Sequence, residues 1–312
     1  MHQCIVPMRR GRASLPRATR RTRLRVALNW PNIPPSGPIP PTLEPEIPVT
    51  NILSPQNPRI KAAVRLRDAR HRRKQARFPI DGLREIERAA AAGIELVEVF
   101  HCPARYPAER IETVERLLSS IEAELFEVAP AAFDKLAFGD RAEGIVAVAA
   151  PPTWRLDDFE PKPGAMVAVI EAVEKPGNVG AVLRSADAAG VDLVIVADGR
   201  TDLFNPNTIR ASLGTIFTVP VREATSAEAL EWLRARRLPI FAARVDGAVA
   251  YTEVDYRGGA AVVLGSEAEG LSPVWRADDI RAVRLPMLGA ADSLNISATA
   301  AVLFYEALRQ RR

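Results

Sequence analysis

The side chains that could do chemistry are concentrated in three loops of the C-terminal half. The last of these along the chain, residues 285–295, is called the third loop. It contains a glycine and leads into a helix through Ser293 and Asn295. Ser and Asn oxygens accept hydrogen bonds from the otherwise unpaired N–H groups of a helix start. The same end of a helix favours a ligand's negative charge. The third loop therefore predicts a helix cap, a ligand site, or both.

The other two loops share this polar character. The first loop, residues 174–180, holds Asn178 at a helix start, and Arg184 follows six residues later, within reach of the same ligand. The second loop, residues 264–272, places Glu267 between Gly265 and Gly270, which permit close backbone approach. One glycine loop is weak support for a site, but three polar loops that follow apolar strands are harder to explain as turns.

Short apolar segments predict the strands that position these loops. They are rich in Val, Ile and Ala with little polar alternation, which is typical of strands buried on both faces of a parallel sheet; they cover residues 166–170, 193–196, 216–219, 240–243, 260–264 and 283–285. Helix patterns lie between them at 179–189 and 227–236, and a terminal helix follows the third loop. The sequence predicts a doubly wound α/β domain over residues 165–312, with ligands beyond the carboxyl ends of the strands.

A smaller α/β domain is predicted over residues 51–150, followed by a proline-containing linker at 151–164. Helix and strand patterns alternate there, which indicates a layered structure; the helices are expected at 57–77, 83–92, 110–118 and 130–136, and the strands at 94–100, 125–128 and 145–149. Residues 78–80 lead to Asp81, Gly82 and the helix expected at 83–92, and no strand is assigned to them.

The positive charge of the chain is localised. Residues 1–43 contain eight Arg and no acid, so the rest of the chain has a net charge of −4. Within that rest, residues 59–77 carry nine Lys or Arg against Asp68 alone. Such clusters predict a polyanionic partner, because phosphate neutralisation releases counterions, although a solvated helix face explains them equally well. The candidate RNA-binding residues are Arg65, Arg67, Arg70, Arg72, Arg73 and Lys74.

Residues 1–50 form an Arg-rich and then Pro-rich extension. Its prolines prevent helix and central strand alike, so we expect it to be disordered or extended. It could be an organelle transit peptide, a nucleic-acid-binding arm, or translation from a start codon upstream of the true one. We favour the last interpretation, because nothing later in the chain requires this segment.

Composition argues against several classes of protein. No uncharged apolar run approaches the roughly 18 residues that a membrane span requires, and the start lacks the plan of a secretory signal, so we expect a cytoplasmic protein without membrane contact. Cys4 and Cys102 are too few for a disulfide framework. With only three His residues beside them, no metal site is expected.

Three motifs carry a family resemblance. GNVGAVLRSADAAGV, VLGSEAEGLS and LPMLGAADSLNISATAAVLFYE resemble, in order, the signature motifs of SpoU-type (TrmH-like) RNA 2′-O-ribose methyltransferases, and the intervening IRASLGTIFTVPV is similar to the segment between the first two. The resemblance covers residues 165–309. More weakly, FPIDGLREIERAA and the basic segment before it resemble the family's substrate-binding domain, which folds like a small RNA-binding ribosomal protein.

The resemblance implies a fold, a cofactor and an assembly. The C-terminal domain is expected to be a SPOUT domain with a trefoil knot, a rare exception among folds. It is expected to bind S-adenosyl-L-methionine and to work as a homodimer. The residues that match the family's cofactor cradle are Ala243, Gly265, Gly270, Leu285, Met287 and Leu294. One departure is Ala268, which stands where many relatives have Gly and would be strained if its φ were positive.

The expected reaction is methyl transfer to a ribose 2′-hydroxyl of structured RNA, with ribosomal RNA favoured over tRNA. The reaction requires alignment of oxygen, carbon and sulfur and loss of the hydroxyl proton. The catalytic residues implied by the resemblance are Asn178, Arg184, Glu267, Ser293 and Asn295. A neutral Arg is costly because its ordinary pKa is about 12.5 to 13.8. We therefore expect Arg184 to bind phosphate and stabilise the developing alkoxide.

Two alternatives belong to other functional classes. A dinucleotide-binding oxidoreductase would also be α/β, but Gly177 and Gly180 do not form the GxGxxG fingerprint. A catalytically silent RNA-binding relative is the alternative without enzyme activity. It predicts the loss of Arg184, Asn178 or Asn295, and all three are present.

Overall fold

The computed structural model describes residues 50–138 and 143–312, which contain two sheets with helices packed against them. The extension predicted to be disordered lies outside the described residues, apart from Thr50. The elements of the N-terminal domain are β1 (Thr50–Ile52), α1 (Pro58–Arg65), α2 (Ala69–Gln75), β2 (Phe78–Asp81), α3 (Leu83–Ala91), β3 (Leu96–His101), α4 (Ile111–Ser120), β4 (Glu124–Val128), α5 (Pro130–Leu136) and β5 (Ile145–Ala149). The sheet order is β1-β4-β3-β5-β2, with β5 antiparallel to both of its neighbours.

Two features of this domain were not predicted from the sequence. The basic segment forms two helices, not one, because the side chain of Asp68 accepts a hydrogen bond from Arg70 N at 2.7 Å and starts a new helix. Residues 78–80 belong to a strand, β2, which the proline at position 79 concealed. Since β2 is an edge strand, the missing N–H of Pro79 is tolerated there, while Phe78 and Ile80 fill the core.

The C-terminal domain contains a parallel seven-stranded sheet. Its elements are β6 (Met166–Glu171), α6 (Pro176–Ala189), β7 (Leu193–Ala197), α7 (Pro206–Ala211), β8 (Val221–Ala224), α8 (Ser226–Ala235), β9 (Ile240–Ala243), β10 (Val249–Ala250), β11 (Ala260–Leu264), β12 (Ile280–Arg284) and α9 (Ile296–Arg311). The strand order is β10-β12-β9-β11-β6-β7-β8. Every residue of β6, β7 and β11 is buried, as continuous apolar strands in a covered parallel sheet should be.

The strand predicted at 216–219 was wrong. Thr215–Phe217 is a 3-10 helix that Gly214 starts with a φ of 81°, and the strand, β8, begins only after Pro220. Ile216 and Phe217 are apolar because they pack into a core shared with the N-terminal domain, where Phe217 lies 6.3 Å from Phe78 between ring centroids. An apolar run of this length does not by itself distinguish a strand from a buried turn.

Helices cover both faces of the large sheet. On one face α6 packs against α9, and their apolar residues join one core that continues into the N-terminal domain. On the other face α8 packs with Trp275 in a second core. Leu156 of the linker also enters that second core. None of the helices within residues 50–138 and 143–312 has the length and apolar content needed to cross a bilayer.

The two domains contact each other and, over the described residues, belong to one compact unit. The rings of Phe78 and Phe204 stack with centroids 4.5 Å apart. A guanidinium from each domain reaches a backbone carbonyl of the other: Arg88 donates to Leu213 O and Arg210 donates to Phe138 O, both at 2.8 Å. These contacts place the N-terminal domain in a defined position beside the large sheet.

Candidate active site

An open cavity of about 1110 Å³ lies at the carboxyl edge of the large sheet. The carboxyl ends of β9, β11 and β12 and the loops that follow them form its wall. All six residues predicted to cradle a cofactor line this carboxyl-edge cavity: Ala243, Gly265, Gly270, Leu285, Met287 and Leu294. The cavity therefore brings together the end of β9, the second loop and the third loop, whose cradle residues are separated in sequence by up to about fifty residues.

The second loop closes tightly on itself. Ser266 and Gly270 exchange two backbone hydrogen bonds, of 3.2 and 3.0 Å. A Cβ added at Gly265 would collide with the backbone carbonyl of Gly270, so only glycine fits. Gly270 has a φ of 67°, whereas Ala268 is not among the residues with positive φ and is unstrained. Alanine in place of the family's glycine at position 268 therefore does not strain the loop.

The lining of the cavity suits a ligand with both apolar and charged parts. Leu285, Met287 and Leu294 supply apolar surface, while Arg244 and Asp246 form a bidentate ion pair with contacts of 2.8 and 2.6 Å on the rim. The Arg244 guanidinium holds the pKa of the Asp246 carboxyl below its usual range. S-adenosylmethionine combines an apolar adenine face with ammonium, sulfonium and carboxylate groups, so these residues fit it.

Asn178, Glu267 and Asn295 meet in one hydrogen-bonded cluster. Asn178 Nδ2 donates to Glu267 Oε1 at 3.1 Å, Asn295 Nδ2 donates to the same oxygen, and Asn295 Nδ2 also lies 3.3 Å from Asn178 Oδ1. Each loop thus contributes one side chain. Asn295 is also the N-cap of α9, because its Oδ1 accepts from Ser297 N at 2.9 Å. Capping and clustering therefore use opposite ends of the same amide.

Two further predicted residues stand outside this cluster. Ser293 lines the carboxyl-edge cavity and has no hydrogen bond to any described residue. Arg184 is exposed on α6 and makes neither a hydrogen bond nor an ion pair with the part of the chain that is described. Its guanidinium is therefore free for a ligand that the protein itself does not supply.

The sequence interpretation missed one residue in contact with the cluster. Lys175 Nζ lies 3.2 Å from Glu267 Oε2 and places a cation beside the carboxylate. Its position between β6 and α6, in the first loop, was the signal that could have identified it. Among the described residues, no group of three or more His, Cys, Asp or Glu side chains is placed to hold a metal ion.

The basic helices divide into exposed and buried cations. Arg65, Arg70, Arg73 and Lys74 are exposed. Arg67 is also exposed, but its Nη2 donates to the carbonyls of residues 135–137 at the end of α5. Arg72 is a correction to the predicted RNA-binding set, because only 4% of it is exposed and its guanidinium is held by Asp202. A buried and paired guanidinium is not available to a phosphate.

Two family profiles match the chain. The SpoU rRNA Methylase family matches residues 165–305, and the MRM3-like substrate binding domain matches residues 57–147. The first match contains all three loops, and the second contains both basic helices.

Curated relatives match over most of the chain. A 23S rRNA (uridine(2479)-2′-O)-methyltransferase of Streptomyces viridochromogenes is 30% identical over 85% of this chain and 94% of its own length. The 23S rRNA (guanosine(2553)-2′-O)-methyltransferase RlmP of Bacillus subtilis is 27% identical over 81% of this chain and 97% of its own.

Solved structures agree in fold. An RNA 2′-O ribose methyltransferase superposes with a TM-score of 0.73 at 42% identity, covering 84% of this chain and 99% of that one. AviRb from Streptomyces viridochromogenes, in complex with AdoMet, superposes with a TM-score of 0.75 at 28% identity, covering 82% and 98%. With its three loops meeting at the cluster of Asn178, Glu267 and Asn295, the chain belongs to the SpoU family of RNA 2′-O-ribose methyltransferases, enzymes that use S-adenosylmethionine.

Proposed function

We propose that this enzyme methylates a ribose 2′-hydroxyl of 23S ribosomal RNA and that the loop residues divide the work between cofactor, ribose and phosphate. The observation that carries the proposal is the meeting of Asn178, Glu267 and Asn295 beside a cavity lined by all six expected cofactor residues. The relatives named above support the choice of 23S RNA over tRNA. A cytoplasmic location goes with this substrate.

The residues around the carboxyl-edge cavity hold the cofactor. When bound, S-adenosylmethionine supplies an electrophilic methyl group on a sulfonium. Gly265 and Gly270 let the backbone of the second loop approach it, and Leu285, Met287 and Leu294 cover its apolar surface. Ala243 closes the wall at the end of β9.

Arg184 acts on the RNA. Its exposed guanidinium, free among the described residues, can make a bidentate contact with an RNA phosphate. The same cation lowers the energy of the alkoxide that develops as the 2′-hydroxyl loses its proton. A guanidinium keeps its charge at neutral pH, so Arg184 works as an electrostatic stabiliser and not as the proton acceptor.

Glu267 organises the amides around the ribose. Because its Oε1 accepts from both Asn178 and Asn295, both amides are held in fixed orientations before RNA arrives. Lys175 keeps the carboxylate in place through Oε2. Ser293, with no partner among the described residues, is free to donate to the bound ribose or cofactor.

The RNA surface comprises the exposed cations of α1 and α2. Arg65, Arg70, Arg73 and Lys74 carry the phosphate contacts. Arg67, between the two helices, contributes the guanidinium nitrogens that do not donate to the end of α5. The hydrogen bonds that Arg88 and Arg210 make between the two domains support a fixed position of this surface relative to the cavity.

The test of the catalytic proposal is Arg184→Ala, with Arg281→Ala as the control, an exposed arginine of β12 that does not line the cavity. Single-turnover methyl transfer to 23S RNA should fall by about 10² to 10³ in Arg184→Ala, as for loss of one charge-stabilising group. Affinity for S-adenosylmethionine, measured by calorimetry, should not change. Near-wild-type transfer by Arg184→Ala would contradict the role.

Two further measurements test which RNA is methylated and whether the protein is a catalytically silent RNA-binding relative. Ribose methylation mapped across cellular RNA with and without this gene should show one 23S position lost, and loss at a tRNA position would overturn the 23S assignment. A catalytically silent relative should show no calorimetric binding of S-adenosylmethionine.

A homodimer and a trefoil knot complete the proposal. Tyr305 on α9 is 51% exposed while the other face of α9 packs on α6, which supports an interface over this helix. Light scattering should give a dimer for the wild type and a monomer for Tyr305→Glu.

The knot is supported by the strand order, in which β11 inserts between β9 and β6 before the chain returns to α9. Backbone tracing in a crystal structure tests the knot.

A further inference from the structure

Glu171 is an unusual residue for its position. It ends β6, a strand that is otherwise apolar, and only 3% of its surface is exposed. No Lys, Arg or His in the described part of the chain forms an ion pair with it. Burial of a carboxyl group without a cation is costly unless hydrogen bonds replace water.

Four hydrogen bonds from three side chains and one backbone group surround this carboxyl group. Oε1 accepts from Ser226 Oγ at 2.6 Å, from Ser272 Oγ at 2.6 Å and from Trp275 Nε1 at 2.9 Å. Oε2 accepts from the backbone N–H of Ser272 at 2.7 Å. Both oxygens are therefore occupied, and two of the four hydrogen bonds come from Ser272.

These hydrogen bonds fix the far end of the second loop. The loop leaves β11 at Leu264, which is paired in register with Ile170 of β6. It returns at Ser272, which is bound to Glu171, the next residue of the same strand. A single strand thus holds both ends of the loop that carries Gly265, Glu267 and Gly270.

We propose that Glu171 is a positioning residue that holds the second loop in the conformation that binds the cofactor. The inference rests on the proposed function, in which this loop contacts S-adenosylmethionine. Neither Glu171 nor Ser272 lines the carboxyl-edge cavity, so both act on the ligand through the loop and not by contact.

The hydrogen-bond geometry requires an oxygen acceptor at both ends of the Glu171 carboxyl group and rejects a carboxamide. Trp275 Nε1 and Ser272 N can only donate, and they face different oxygens of Glu171. In Glu171→Gln, whichever way the amide turns, its NH2 meets one of these N–H groups. The substituted side chain is therefore unable to accept one of the two hydrogen bonds and meets a repulsion there, although its size is unchanged.

The experiment measures binding of S-adenosylmethionine to the full chain by calorimetry in the absence of RNA. Glu171→Gln should weaken binding by about tenfold or more, the effect of leaving a buried donor unpaired. Ser272→Ala, which keeps the backbone hydrogen bond, should weaken it by about threefold to fivefold. The KM for S-adenosylmethionine should rise accordingly, while kcat at saturating cofactor stays within about threefold, because bound cofactor restores the loop conformation that places Glu267.

Ser226→Ala is the matched control. It removes an equally short hydrogen bond from the same carboxyl group, but on the side of α8 instead of the loop. Its cofactor affinity should remain within about twofold of wild type. If Ser226→Ala weakens binding as much as Ser272→Ala, the effect belongs to the burial of Glu171 in general and the inference is wrong.

A double variant tests the orientation argument directly. Trp275→Phe removes the Nε1 donor, so the amide of Glu171→Gln can then direct its NH2 toward the two serine hydroxyls and its oxygen toward Ser272 N. Cofactor affinity of the double variant should return to within about threefold of Trp275→Phe alone. No recovery would overturn the inference.

The outcomes also separate this inference from the function on which it rests. If wild-type protein does not bind S-adenosylmethionine, the proposed function fails. If wild type binds and a folded Glu171→Gln binds equally well, only the role of Glu171 fails. Should Glu171→Gln not fold, the comparison of Ser272→Ala with Ser226→Ala decides the matter.

Discussion

Arg72 and Asp202 form an ion pair that joins the two domains, with 2.7 Å between Nε and Oδ2. Arg72 belongs to α2, and Asp202 lies in the segment between β7 and α7. The Arg72 Nη1 also donates to the carbonyls of Leu66 and Arg67, both at 2.8 Å. The helix that carries the exposed Arg70, Arg73 and Lys74 is thereby fixed to the methyltransferase domain.

Asp202→Asn should destabilise the protein and weaken RNA binding. Oδ1 of Asp202 accepts from Phe204 N at 3.0 Å, so the asparagine oxygen remains there and its NH2 faces Arg72 Nε. We expect a loss of about 1.5–3 kcal/mol in the free energy of unfolding, measured with urea. The KM for RNA should rise while kcat is retained, because the basic helix loses its fixed position.

Asp134→Asn is the control for this prediction. Its partner Arg105 is at a similar distance, 2.8 Å, but both side chains are exposed, at 52% and 40%. Such pairs contribute about 0–1 kcal/mol. Equal losses in the two variants would show that burial of Arg72 does not strengthen the interdomain pair.

Substitution of the exposed cations of α2 should reduce the salt dependence of RNA binding. In the double variant Arg73→Ala with Lys74→Ala, the slope of log Kd against log salt should fall by about 0.7–0.9 for each phosphate that the protein no longer neutralises. Arg257→Ala is a suitable control, because that guanidinium is already held by Asp255. A slope unchanged from wild type in the double variant would exclude this helix from the RNA surface.

Much of the large sheet could be predicted because its central strands are almost entirely apolar. The segments at β6, β7, β9 and β11 are short, buried on both faces and bounded by polar loops, which leaves little ambiguity. The positions of the loops beyond their carboxyl ends followed from the parallel arrangement. Convergence of the six cradle residues on one cavity needed the family resemblance, because strand order is not visible in the sequence.

The sequence predictions that were wrong concern residues whose environment is set by partners far away in the chain. Residues 216–217 are apolar because they face the other domain, and Arg72 is buried because Asp202, 130 positions away, pairs with it. Neither partner is near in sequence. Glu171 offered a local signal, an acid at the end of a fully apolar strand, but its partners at positions 226, 272 and 275 could be found only in the structure.

Ala76→Gly should stabilise the protein. Ala76 ends α2 with φ 47° and ψ 49°, a left-handed conformation that costs a residue with a Cβ about 1–2 kcal/mol. After the greater chain entropy of glycine in the unfolded state is included, we expect a gain of roughly 0.5–1 kcal/mol in urea unfolding. Ala62→Gly, within α1, should have the opposite sign, since glycine costs about 0.5–1 kcal/mol inside a helix. If Ala76→Gly were less stable than wild type, the left-handed conformation of Ala76 would not be a source of strain.

Asp81 should make stability depend on pH. Burial raises the pKa of its carboxyl group to about 7, even though Oδ2 accepts a hydrogen bond from Phe138 N. The other oxygen, Oδ1, is buried and has no partner among the described residues. Between about pH 4 and pH 7 the folded state therefore keeps a proton that the unfolded state has lost, so the free energy of unfolding falls as pH rises.

Asp81→Asn removes that dependence, because an amide is neutral at every pH and can still accept from Phe138 N. Relative to wild type, the variant should gain roughly 2–4 kcal/mol in urea unfolding between pH 4 and pH 8, with the change complete just above pH 7. Asp255→Asn is the control: Arg257 lowers the pKa of Asp255 to about 2, so its titration lies below this window and its slope should match wild type. If the free energy of unfolding of wild type and of Asp81→Asn changed with pH in parallel, Asp81 would already be ionised in the folded protein at pH 5. Water or a cation would then be the partner of Oδ1 that the described residues do not provide.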